Sequence, residues 1–158
     1  MRKVPVVLVG ALVGVFGTAS LAGAAPVTRT QVHDVTSTTP GFNPCTGLTD
    51  TQTLTYHLVT QTNIDARGGY HYMVNQNGTV SFVPDDPTQP TYSGTFHYTD
   101  NVNSPAPTLG YENTVVETVN GRFSDGTRGF LQIHEHLTVN ANGDTTVFFD
   151  NLTCRPGG

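Results

Sequence analysis

His134 and His136 stand two residues apart. On a β-strand that spacing sends both imidazoles to the same side. Two such rings can share one divalent metal, zinc above all, if a neighbouring strand adds a third ligand. Asp150 is the candidate for that position, on the metal itself or as the partner that fixes the tautomer of one ring. Without a metal, the same three residues could transfer a proton or sense pH. The plainer alternative is structural: His134 and Asp150 form a cross-strand polar pair, and His136 packs on Phe148. His57, His71 and His97 lie in other strand-like runs and are further candidates for a metal. No Gly-rich phosphate loop joins a strand to a helix, and no serine occupies a Gly-x-Ser-x-Gly elbow.

The elements that must position these residues are hairpins. Asn75-Gln76-Asn77-Gly78 and Asn140-Ala141-Asn142-Gly143 share one turn pattern. A three-residue loop with glycine in the left-handed position would set Tyr72 opposite Phe82. Tyr70, Tyr72, Val74, Val80 and Phe82 would then share one face. The same loop at the later site sets His134 opposite Asp150 and His136 opposite Phe148. It also keeps Glu135 away from Asp150, a like-charge pair that sheets avoid. Glu135 is then the odd member of a face otherwise made of Leu131, Ile133, Leu137, Val139, Val147 and Phe149.

Period-two alternation recurs along the chain. It is visible at Leu54–Leu58, Tyr70–Val74, Tyr92–Tyr98, Tyr111–Val119, Arg128–Val139 and Asp144–Cys154, in a chain rich in threonine. Asn77-Gly78, Asn120-Gly121, Asp125-Gly126 and Asn142-Gly143 read as turns, and Pro84–Pro90 and Asn101–Pro107 as longer loops. No stretch after the leader shows a sustained helical period. The expected fold is an all-β antiparallel meander of about seven or eight strands, a barrel in preference to a sandwich.

Arg2 and Lys3, the apolar run Val4–Leu21 and the small residues Ala22-Gly23-Ala24-Ala25 have the plan of a secretory signal peptide. The expected division is a signal peptide over 1–24, an irregular lead-in over 25–51 and one β domain over 52–158. Removing 24 of the 158 residues leaves 134, which suits one domain. It also takes the formal charge from −5 to −7, with five arginines, no lysine and twelve carboxylates remaining. That balance argues against nucleic acid and anionic lipid as partners, and no apolar run after processing is long enough to span a bilayer. Cys45 and Cys154 are the only cysteines, and in an exported chain such a pair reads as a disulfide. It would close a loop of about 110 residues, worth on the order of 4–5 kcal/mol.

Four segments carry a resemblance: Asn43-Pro44-Cys45-Thr46-Gly47, Gly68-Gly69-Tyr70-His71, the block His136–Gly143, and Asp150-Asn151-Leu152-Thr153-Cys154. The chain resembles a group of small secreted bacterial proteins of unknown function. The resemblance implies a single β domain with one disulfide and no particular activity. The expected function is a secreted binding module for a small molecule or an extracellular macromolecule. Its rivals are an enzyme built on His134, His136 and Asp150, and a structural or inhibitory interaction module.

Overall fold

The computed structural model describes residues 26–105 and 110–157. The predicted signal peptide lies outside them. Seven strands follow one another: β1 (Thr28–Asn43), β2 (Leu48–Ile64), β3 (Tyr70–Pro84), β4 (Tyr92–Ser104), β5 (Tyr111–Phe123), β6 (Arg128–Val139) and β7 (Thr145–Gly157). They form one antiparallel sheet in sequence order, and every ladder joins consecutive strands. No helix occurs among the described residues.

The sheet is not closed. β1 and β7 share no ladder, so the expected barrel is corrected to an open sheet with two edges. That sheet is nonetheless tightly curled. Cys45, in the β1–β2 turn, is bonded to Cys154 on β7, with the two Cα atoms 5.5 Å apart. Five strand spacings of about 4.8 Å separate β2 from β7, so a flat sheet would hold these cysteines about 24 Å apart. The disulfide therefore joins two margins that the hydrogen bonds leave separate.

Glycine permits this bend. Gly94, Gly121 and Gly129 are successive partners on β4, β5 and β6. A Cβ on Gly94 or Gly121 would run into the backbone of the adjoining strand. At Gly129 it would lie 2.8 Å from Cε2 of Tyr92, whose hydroxyl donates to the Gly129 carbonyl at 3.1 Å. The ring thus covers the space that the missing side chain leaves.

Two predicted turns are strand interiors. Asn77-Gly78 lies within β3, where Gly78 faces Tyr56 on one side and Phe96 on the other. Those rings meet edge-on above it, with centroids 6.3 Å apart. Asn120-Gly121 lies within β5. By contrast, Asp125-Gly126 and Asn142-Gly143 are turns, with Gly126 and Gly143 at φ 89° and 87°. The expected irregular lead-in is also corrected. Its central part is β1, a 16-residue edge strand whose free side tolerates Pro40. Asn101–Pro107 shortens as well, because β4 runs on to Ser104.

The core lies on the inner face. Val80, Tyr92, Phe96 and Val119 are buried there, with Leu54, Tyr56, Phe82, Phe123 and Leu131 packed around them. Cross-strand rows give it order: Tyr56, Gly78, Phe96, Val119, Leu131 and Cys154 are successive partners across six strands.

Candidate functional site

The last hairpin begins as expected. Asn140 N–H donates to the Asp144 carbonyl, and the Asn140 side chain accepts from the backbone N–H of Asn142 and Asp144. One step later the register departs. Val139 faces Thr145, but Thr138 faces Val147, leaving Thr146 as an unpaired bulge residue. A one-residue slip moves every following side chain of one strand to the opposite face. Asp150 therefore faces Glu135, and His134 faces Asn151. The expected pairings of His134 with Asp150 and of His136 with Phe148 are corrected: the imidazoles lie on the outer face and the carboxylate on the inner one.

On the outer face His136 is clasped rather than free. Its Nδ1 meets the Thr114 hydroxyl at 2.8 Å, and its Nε2 meets the Thr138 hydroxyl at 3.1 Å and Glu112 Oε1 at 3.5 Å. Its ring stacks on Phe149 at 5.4 Å, and His134 meets the same phenyl edge-on at 5.1 Å. Among the described residues no group of three or more histidines, cysteines or carboxylates is placed to hold a metal ion.

The inner face carries the features that could receive a ligand. Beneath the disulfide is a partly open cavity of about 250 Å³. Phe82, Tyr92, Val119, Phe123, Phe130 and Leu131 form its apolar lining, with the Cys45–Cys154 bridge as one wall and Arg155 at its border. Tyr92 sits between the rings of Phe82 and Phe123, at centroid distances of 5.6 and 5.0 Å.

Adjoining it is a polar band. Tyr98 faces Glu117, and in the next row Asp100, Val115, Glu135 and Asp150 are successive partners. Burial pushes the Glu117 carboxyl above the usual glutamate range, and the neighbouring Glu135 adds to the shift. Glu135 is raised for the same first reason, and Asp150 adds to it. Burial also raises Asp100, opposed by a 2.6 Å hydrogen bond from Asn113 Nδ2. Tyr98, buried beside these carboxylates, is pushed up to about 12 and stays a neutral phenol. Carboxyls held this way accept cations and hydrogen-bond donors readily.

The sequence reading missed Glu117 although a signal was present. It stands in phase with Val115 and Val119, so a charge interrupts an apolar alternation. Glu135 shows the same interruption between Ile133 and Leu137. No family model matches this chain, and no curated protein and no solved structure is similar to it.

Proposed function

We propose that this chain is a secreted binding module whose inner face takes a small apolar molecule at the disulfide end. The observation that carries the reading is the cavity of about 250 Å³ lined by four aromatic rings, Val119 and Leu131. Drug-sized ligands occupy pockets of about 300–1,000 Å³, and a dry cavity of about 150 Å³ holds benzene. The ligand is accordingly one or two rings, or a short acyl chain. Sheet curl supplies the floor and the disulfide supplies the rim, so an open sheet plays the part of a barrel. The Tyr98–Glu117 pair lies one row from Val119 and would orient a ligand carrying an amine or a hydrogen-bond donor. The enzymatic rival has less support, because its histidines and its aspartate point to opposite faces.

Amide chemical-shift titration with indole and with tryptamine tests this. Shifts should centre on Val119, Phe123 and Leu131. Tryptamine should bind more tightly than indole, and Glu117→Gln should erase that difference. Leu131→Phe, which fills the cavity, should abolish both if circular dichroism shows the sheet intact. Saturating shifts elsewhere, or none at millimolar probe, would overturn the reading.

A further inference from the structure

The outer face at the same end has the opposite character. Of the five arginines beyond residue 25, three converge there. Arg122 and Arg128 are direct partners across β5 and β6, while Arg155 on β7 faces Phe130. Strand alternation puts Phe130 on the same side as Arg128. Together with Asn120 these residues line an open depression of about 550 Å³, and the Arg155 guanidinium lies 6.0 Å from the centre of the Phe130 ring.

This grouping is electrostatically unfavourable by itself. Like charges directly opposite one another destabilise a sheet, and all three arginines are exposed. The ion pairs among the described residues are His71–Asp65 and His136–Glu112, so no carboxylate of a described residue comes within 4.0 Å of these guanidinium groups. Among the described residues the one hydrogen bond of these guanidinium groups runs from Arg122 Nη1 to the Gly126 carbonyl, at 3.2 Å. The chain carries twelve carboxylates, yet none is spent on this cluster.

We propose that the depression binds a phosphate or sulfate ester on a small organic carrier. A planar guanidinium offers paired donors that match two oxygens of a tetrahedral oxyanion, which lysine cannot reproduce. Three such groups suit an anion with three or more acceptor oxygens and up to two charges. Phe130 gives the carrier an apolar surface beside the charge. The negative remainder of the chain disfavours an extended polyanion, so a small ester is the occupant. The depression opens on the outer face; Gly129, Phe130 and Arg155 also border the cavity beneath the disulfide, whereas Arg122 and Arg128 border the depression alone.

The test is an NMR titration with inorganic pyrophosphate and with glucose 6-phosphate, read at the arginine Nε–H groups and the strand amides. Shifts are expected at Asn120, Arg122, Arg128, Phe130 and Arg155, weakening as salt rises. The Arg122→Gln/Arg128→Gln pair should weaken binding at least about tenfold, whereas Arg67→Gln should leave it unchanged. Phe130→Ala should weaken the sugar phosphate more than pyrophosphate. Equal shifts with chloride at matched ionic strength would overturn the proposal, as would no loss in the double variant. Tighter binding of a DNA duplex than of either phosphate would replace the small ester with a polymer.

Discussion

At the disulfide end of the inner face, Val80, Tyr92, Phe96 and Val119 are 6% exposed or less. At the far end, on the same face of the same sheet, Ile64, Tyr70, Tyr111 and Phe148 are each 36% exposed or more. The sheet is thus tight where the glycine row and the disulfide act and splayed where neither reaches. Between the two ends lies the band of Tyr98, Asp100, Glu117 and Glu135, each partly desolvated, with exposed Asp150 at its margin. The contrast teaches that curl, more than composition, decides which inner residues become a core. Apolar side chains occur at both ends, but only one end buries them.

The disulfide should matter most. Replacing Cys45 and Cys154 by serine should cost on the order of 4–5 kcal/mol in the chain-entropy account, read from urea unfolding, and should empty the cavity of any bound probe. A loss below about 1 kcal/mol would mean that the curl holds without its staple. Next comes the core itself. Phe96→Ala should cost about 3–5 kcal/mol, and Phe148→Ala at the splayed end should stay within about 0.5 kcal/mol. Comparable losses at the two positions would erase the distinction between the ends.

The polar band predicts a gain. Glu117→Gln should raise the melting temperature by a few degrees at neutral pH, because it removes a charge that the fold disfavours. The sign is set by the raised carboxyl. Folded protein holds the Glu117 proton at higher pH than unfolded protein does, so stability falls as pH rises through the folded value. The wild type should therefore gain on the variant as pH drops from neutral towards the ordinary glutamate value of 4.5. A difference between the two that does not change with pH would place Glu117 in open water.

The smallest effect belongs to the far end. His71 Nδ1 reaches Asn103 Oδ1 at 2.9 Å, and its Nε2 reaches Asp65 Oδ2 at 3.3 Å. Two acceptors favour the doubly protonated ring, and its pKa is raised by Asn103 first and Asp65 second. Its stabilisation is complete below the unfolded value and is lost as pH climbs through the folded one. Ring-proton titration should show a fall in the His71 pKa in Asn103→Ala and again in Asp65→Asn. An unchanged curve in both would show that solvent, and not this trio, sets the charge.

How far the sequence could be read depends on what each signal encodes. Parity along a strand was legible. Tyr70, Tyr72, Val74, Val80 and Phe82 were expected on one face, and the continuous β3 puts them there, because an odd-length loop and an uninterrupted strand preserve the same parity. For that reason the mistaken turn at Asn77-Gly78 left no trace in the face assignment. The local pattern Asn-Gly does not say whether its glycine makes a turn or a close backbone approach. Only the rings of Tyr56 and Phe96, supplied by other strands, decide that. The Asn140–Asp144 loop was legible from short-range chemistry, and the Cys45–Cys154 bridge from the presence of just one cysteine pair. The bulge at Thr146 was not: no residue type marks it, and one unpaired residue was enough to part His134 and His136 from Asp150. Register errors of this kind propagate along a strand, whereas turn errors stay local.

The strict nearest-neighbour order of the strands also bears on how the molecule assembles. Each ladder needs only a hairpin or a short loop to close, so pairing can advance from one strand to the next without long-range search. The single exception is the bond between residues 109 positions apart. It requires that β7 has docked on β6 and that the growing sheet has already bent back towards its first turn. Oxidation is therefore a late event that reports on completed curvature, and before it the chain is a nearly finished sheet with an open seam. Pulse-alkylation during refolding should find both thiols reactive after most strand signal has returned, with β6–β7 pairing as the last step before they disappear.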